Sequence, residues 1–267
     1  MKGNEIEFFT INNPDNLQLV KGRSVIKKFP LHLHRRFCIG TIEKGDALFK
    51  GNEKQFLLHE GDVFFINAGE PHTLESIDDK GFNHLVLCLE RDLNFHYNEE
   101  IAKSIKFKST IVFDAELGIR LSSYCEQILQ SECGLDRECV LMNLLQDISC
   151  FCDIEDRQEQ HSSCIHQVCE YINQNCTKVF ALSDLANVAC LSKYHFSRLF
   201  KTEIGLTPYE YLIQLKIKYS KELILKGNSP IEVALELGFA DQSHFINLFK
   251  KHTGVTPVNF LKKNIMI

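Results

Sequence analysis

Between Phe29 and Glu90 the apolar residues come in short runs: Phe37 to Ile42, Phe56 to Leu58, Val63 to Ile66 and Leu85 to Leu89. Turn signals break them at Lys44-Gly45-Asp46, Gly51-Asn52, Glu60-Gly61-Asp62 and Ala68-Gly69-Glu70. Runs of this length, rich in β-branched and aromatic side chains, predict the strands of a β sandwich or barrel. After Phe113 the period lengthens. Leu117, Leu121, Tyr124 and Ile128 recur at helical spacing, and Leu141, Leu144, Leu145, Ile148 and Phe151 form a second stripe beyond Cys133-Gly134. This pattern predicts an antiparallel helix pair. Two uses of the pair fit the pattern: the stripes cover the β domain, or they form a dimer interface. A polar stretch from Glu155 to Ser163, with Gln158 and Gln160, reads as a linker.

Beyond the linker the chain repeats itself. Leu191 to Leu212, LSKYHFSRLFKTEIGLTPYEYL, aligns without gaps on Ala240 to Leu261, ADQSHFINLFKKHTGVTPVNFL, with nine of 22 positions identical at an offset of 49. In each copy three apolar residues at helical spacing (Phe196, Leu199 and Phe200; Phe245, Leu248 and Phe249) predict the buried stripe of a short helix. Gly205 and Gly254 stand where those helices end, and Thr207-Pro208 and Thr256-Pro257 then supply a hydroxyl N-cap followed by proline at the first helical position. A further short helix precedes each copy, at Leu182 to Ala189 and Pro230 to Leu237, joined by a tight turn at Cys190-Leu191 or Gly238-Phe239-Ala240. Ser229, Pro230 and Glu232 form a capping box at the second of these. Two short helices joined by a tight turn make a helix-turn-helix, whose second helix can lie in the major groove of DNA. The chain holds two, at about 182–203 and 230–252. Between them Thr207 to Lys226 predicts a helix of roughly 30 Å, close to the ~34 Å between successive major-groove faces on one side of a duplex.

With 267 residues, 44% of them hydrophobic, the chain is long enough for two domains. No apolar run is long enough to span a membrane, and Met1 to Glu7 is polar, unlike a secretory signal. The protein is therefore expected to be cytoplasmic, with no membrane partner and with its eleven cysteines as free thiols. The overall charge of −5 hides an asymmetry: residues 1–160 carry 18 Lys and Arg against 27 Asp and Glu, residues 161–267 carry 12 against 8. The basic part coincides with the repeated units, which is compatible with phosphate contact.

The stretch from Ile165 to Lys263 resembles the AraC/XylS-type DNA-binding domain, through SRLFK at Ser197 to Lys201, GLTPYEYL at Gly205 to Leu212 and GFADQSHFINLFKKHTGVTP at Gly238 to Pro257. The resemblance implies a reader that places both recognition helices in consecutive major grooves. It also implies that Tyr194, Ser197 and Arg198 face the bases, and that RNA polymerase is a partner. On chemistry alone, Arg198 suits guanine in bidentate fashion, while Lys193 and Lys201 suit phosphates. On the second helix Gln242, Ser243, Ile246 and Asn247 face outward, with Lys250 and Lys251 near its end as phosphate contacts. Gln242 and Asn247 match adenine, Ile246 a thymine methyl, and Asp241 the helix N-cap.

The β region resembles, more loosely, the cupin-like sensor domain that precedes this module in many family members, through His32, His34, Gly45, Gly61, Gly69 and His72 in HLH and GDVFFINAGEPH. Where metal-binding cupins carry glutamate, this chain has Cys38. His32 and His34 share a strand face and His72 can join them, so His32, His34, Cys38 and His72 are candidates either for a metal-free pocket holding an organic effector or for a zinc or iron site. Cys150 and Cys152, and Cys164, Cys169 and Cys176, lack paired metal-ligand spacing, and a redox role for them would require exposure and a lowered thiol pKa. No catalytic triad, phosphate loop or dinucleotide fingerprint is present, and no cofactor is called for.

The expected architecture is therefore α+β in two domains. A cupin-like β-barrel at 1–113 is followed by an antiparallel helix pair at 114–154, a linker at 155–163 and an all-α double helix-turn-helix domain at 164–264. Leu117, Leu121, Tyr124 and Ile128 are the candidate dimerisation residues of a homodimer. The expected function is a sequence-specific transcription regulator, an activator bound to double-stranded DNA and controlled by a small molecule. The competing expectation is a metal-dependent cupin enzyme fused to a DNA-binding domain.

Overall fold

A computed structural model describes residues 5–11, 17–34, 36–51, 54–89, 104–155, 162–178 and 180–266. Most of the expected linker, 156–161, lies outside the described residues. The chain divides into two compact units. One comprises residues 1–28, 33–158 and 262–267, the other residues 29–32 and 159–261. None of the described helices is long and apolar enough to cross a membrane. All eleven cysteines are free.

The first unit is built on strands β1 (Glu5–Ile11), β2 (Leu17–Val25), β3 (Phe37–Lys44), β4 (Ala47–Gly51), β5 (Lys54–Leu58), β6 (Val63–Ile66), β7 (His72–Ser76), β8 (Phe82–Leu89), β9 (Ser104–Phe107), β10 (Ile111–Val112), β11 (Cys152–Glu155) and β12 (Asn264–Met266). A seven-stranded sheet runs in the order β10-β6-β3-β8-β2-β1-β12, a three-stranded sheet in the order β5-β4-β7, and β11 pairs with β9. Two strands that the run pattern did not predict precede Phe29 within the β domain: β1 and β2 pair antiparallel, and β2 continues onto β8. Strands β3 and β8 lie at the centre and read as almost unbroken apolar runs because both of their faces are covered.

One face of the large sheet carries Leu19, Ile39, Phe65, Leu85 and Leu87, which pack against the buried stripes of α1 (Ala115–Gln130) and α2 (Gly134–Ile148). Leu117, Leu121 and Ile128, expected at a dimer interface, are at most 1% exposed in this core, and Tyr124 packs against it while donating to Asp147 at 3.0 Å. The dimer expectation for these side chains is corrected accordingly, because their apolar surface is already removed from water within one chain. The outward faces of the pair instead carry Ile119, Leu135 and Met142. Helix α1 comes so close to the sheet that a Cβ at Gly118 would run into the carbonyl oxygen of Gly61.

The other face looks toward the small sheet. Register places Cys38 opposite both Cys88 and Ile66, and Ile42 opposite His84. The two sheets meet where the ring of Phe49 on β4 lies 5.8 Å from Phe64 on β6 and stacks at 6.1 Å on His72. His84, 6% exposed, sits over Gly22, whose missing Cβ leaves room for the imidazole, and beside Phe82 at 5.3 Å. Its Nδ1 has no hydrogen-bond partner among the described residues. Burial without a compensating charge pushes its pKa down to about 4.

The second unit contains α3 (Ser163–Gln174), α4 (Leu182–Val188), α5 (Lys193–Ile204), α6 (Pro208–Leu225), α7 (Pro230–Glu236), α8 (Gln242–Thr253) and α9 (Pro257–Lys263). The capping chemistry read in the sequence is in place. Ser192 and Asp241 cap the backbone N–H groups of His195 and His244, and Thr207 with Glu210 and Ser229 with Glu232 form capping boxes. Gly205 and Gly254 end α5 and α8 in the left-handed conformation. The turns inside the two units also share a left-handed residue, Cys190 (φ 54°) in the first and Gly238 (φ 61°) in the second. Gly238 has a second constraint, since a Cβ there would meet the carbonyl oxygen of Thr177. Its own carbonyl accepts a hydrogen bond from Lys216 Nζ at 2.9 Å, a lysine that is 4% exposed on α6 and lies over the Phe239 ring. Lys216 thereby ties the connecting helix to the turn of the second helix-turn-helix through a charge-assisted bond.

Two outcomes follow from these local constraints. Gly238→Ala should lower unfolding free energy by about 2 kcal/mol or more, whereas Cys190→Gly, which relieves a left-handed residue with a Cβ, should raise it by about 0.5–1 kcal/mol; urea denaturation of the two variants measures both. Because His84 titrates near 4 folded and near 6.5 unfolded, its contribution is fully present above about pH 6.5 and is lost as the pH falls toward 4, by up to about 3 kcal/mol. Stability measured from pH 7.5 to 4.5 should fall less steeply for His84→Gln than for the parent chain, and parallel curves would exclude His84 as the source.

Candidate nucleic-acid interface and sensor interior

The orientation of each recognition helix is fixed from inside. On α5, Phe196 and Phe200 are fully buried with rings 5.6 Å apart, and Phe200 meets Tyr211 of α6 edge-on at 5.7 Å. On α8, Phe245 and Phe249 are equally buried at 5.6 Å, with Phe239 5.0 Å from the first and Phe260 of α9 5.5 Å from the second. Helical period then dictates what faces away. Tyr194 is 78% exposed, Lys193, Arg198 and Lys201 are exposed, and Ser197 is half-buried between the two faces. On α8, Gln242, Ser243, Asn247, Lys250 and Lys251 are exposed and Ile246 is half-buried. Asp241 is the N-cap expected of it, its carboxylate accepting from His244 N at 2.7 Å.

The connecting helix α6 has 18 residues, which corresponds to about 27 Å of rise. That is slightly shorter than the sequence span suggested, because Thr207 and Lys226 act as caps rather than as helical residues. Its apolar residues are distributed around much of its circumference, with Leu212, Ile213, Leu215, Ile217 and Ile224 all buried.

In the β unit, His34 and His72 come together with ring centroids 5.0 Å apart. His72 is 4% exposed, and its Nδ1 lies 2.9 Å from the Glu70 carbonyl oxygen. Cys38 is fully buried and its thiol is directed to Cys88 Sγ at 3.2 Å. Burial and that bond raise its pKa, so Cys38 is held as a thiol. His32 belongs to the helical unit, where its Nδ1 lies 2.9 Å from the Pro30 carbonyl oxygen and burial lowers its pKa. Sequence reading missed Cys88 and His84. Both alternate on β8 in the phase opposite to Leu85, Leu87 and Leu89, and that alternation was the available signal.

Comparison with known proteins matches both halves. A model described as an AraC-like ligand binding domain matches residues 23–145, and one described as a helix-turn-helix domain matches residues 185–263. The uncharacterized HTH-type transcriptional regulator YbfI of Bacillus subtilis (strain 168) is 27% identical over 247 residues, covering 90% of each chain. The HTH-type transcriptional activator RhaS of Yersinia pestis (strain Pestoides F) is 22% identical over 250 residues, again 90% of each. Among solved structures, an apo ToxT variant from Vibrio cholerae strain SCE256 shares the fold with a TM-score of 0.60 at 15% identity, covering 97% of this chain and 96% of that one. Unsaturated fatty acid-bound ToxT from the same strain gives 0.57 at 14% identity, covering 98% and 95%. These likenesses point to a regulator rather than an enzyme. With a ligand-binding β domain and a helix-turn-helix domain matched in that order, and with relatives that match over 90% of each chain, the chain belongs to the AraC/XylS family of DNA-binding transcriptional regulators.

Proposed function

We propose that this regulator is a cytoplasmic activator that reads an asymmetric double-stranded DNA site with its two recognition helices and responds to a small molecule enclosed by its β domain. Two outward faces of different chemistry, held by the same internal phenylalanine pair, support the first part. Tyr194, Ser197 and Arg198 are assigned to one set of base edges, and Gln242, Ser243, Ile246 and Asn247 to the next. Lys193, Lys201, Lys250 and Lys251 are assigned to phosphates, where they fix position without reading sequence. RNA polymerase is the partner that activation requires.

The effector site is assigned to the interior between the two sheets, where His34, His72 and Cys38 supply polar atoms among phenylalanine rings. That ToxT has been solved with an unsaturated fatty acid is consistent with a sensor of this fold enclosing an organic molecule. Such a molecule controls the DNA-binding unit only by favouring one arrangement of the protein in binding energy. A homodimer formed through the helix pair would use the outer faces that carry Ile119, Leu135 and Met142.

Binding across all single-base variants of an operator tests the assignments. Arg198→Ala should cost about 1–3 kcal/mol and relax preference at one base pair, and Asn247→Ala should do the same at a position one groove away. Lys201→Ala should instead weaken all sequences alike and reduce the salt slope by about 1. An unchanged base preference in Arg198→Ala would remove that residue from the readers.

A further inference from the structure

Cys38 and Cys88 sit directly opposite each other on the two central strands of the large sheet. Directly opposed residues of an antiparallel pair have Cα atoms about 4.5 or 5.5 Å apart, and both values fall within the roughly 4.4–6.8 Å that a disulfide spans. The side chains share the inward face, with Ile66 opposite Cys38 and Gln18 opposite Cys88. Their sulfurs are 3.2 Å apart with no bond between them. Closing the pair to the S–S length of about 2.0 Å needs a combined sulfur movement of only about 1.2 Å and no change of register.

The thiols are also unequal. Cys38 is the donor of the S–H···S contact and Cys88 Sγ its acceptor. The Cys38 proton is thus directed at the Cys88 sulfur. On Cys38 the contact with Cys88 and burial raise the pKa, and the charge of Arg36 opposes them only in part. Both residues are buried, Cys38 completely and Cys88 with 6% of its surface exposed, so Cys88 is the less enclosed of the two.

We propose that Cys38 and Cys88 form an oxidisable dithiol inside the sensor domain, converted to a cross-strand disulfide by a hydroperoxide. Cys88, as thiolate, attacks the distal peroxide oxygen. The O–O bond breaks, the leaving alkoxide or hydroxide takes the proton that Cys88 lost, and Cys88 becomes a sulfenic acid. Cys38 sulfur then attacks Cys88 sulfur, the S–O bond breaks, and the departing hydroxide leaves as water with the Cys38 proton. The two sulfurs together give up two electrons to the peroxide, which yields one alcohol or water and one further water. The product locks β3 to β8 on the inward face and removes both S–H groups of the pair.

The test uses the full chain with exposed Cys133, Cys139, Cys150 and Cys190 replaced by serine, so that surface thiols do not contribute. Folded protein is treated with hydrogen peroxide, blocked with N-ethylmaleimide and mapped by mass spectrometry without reduction. The expected result is a linked peptide pair joining Cys38 to Cys88, lighter by two hydrogens than the two thiol peptides, and restored to thiols by dithiothreitol. In Cys38→Ser the reaction should stop at a sulfenic acid on Cys88, trapped by dimedone. Two intact thiols after treatment would overturn the proposal, as would a link that forms only in urea. Should Cys38→Ser fail to fold, the map of the chain with both cysteines still decides. Operator binding by the reduced protein is a separate measurement, so loss of the dithiol reading leaves the regulator reading standing.

Discussion

What the recognition helices present to DNA is set by what they conceal. Phe196 and Phe200 on one helix and Phe245 and Phe249 on the other occupy positions four apart and are completely removed from water. Each pair is worth several kcal/mol of burial, far more than any exposed side chain contributes to the orientation of its helix. Rotating either helix to present a different face would expose two phenylalanines. Tyr194, Arg198, Gln242 and Asn247 can therefore differ freely between the two units, because none of them helps to hold its own helix in place.

A similar division runs through the β unit. Along β3 and β8 one phase of the alternation faces the helix pair and is apolar but for the buried Thr41, while the other faces the small sheet and carries thiols, a glycine and an imidazole. Stability and chemistry are thus separated by a single backbone repeat. The inward face holds groups that burial makes unusual: a histidine kept neutral without a partner at Nδ1, and a thiol held protonated against a second sulfur.

The helical unit was largely legible in the sequence because caps, glycines and phenylalanines report local structure, and local structure is most of what a helix-turn-helix contains. Asp241, Thr207 and Ser229 were identifiable by residue type alone. The β unit was read less completely. Strands β1 and β2 lie outside the predicted runs, since the pairing of β2 with β8 is non-local and no turn signature marks it near Phe29. The helix stripes showed that Leu117, Leu121 and Ile128 are buried somewhere, but periodicity does not say whether a sheet of the same chain or a second molecule covers them. Cys88 and His84 went unnoticed because an alternating phase inside a near-continuous apolar strand is weak in sequence and plain only once register is known.

The two helix-turn-helix units are not superposable copies. Their first helices lie 48 residues apart and their recognition helices 49, so the second turn contains one more residue than the first. In the first unit a left-handed cysteine closes the shorter turn. In the second, a left-handed glycine held by Lys216 closes the longer one. Recognition helices exchanged between the units with the turns left behind would stay in step, because Phe196 and Phe245 each stand four residues after their caps, Ser192 and Asp241. The practical unit of exchange for re-engineering specificity is therefore the recognition helix from its cap onward, with each turn left to set the spacing to its own first helix.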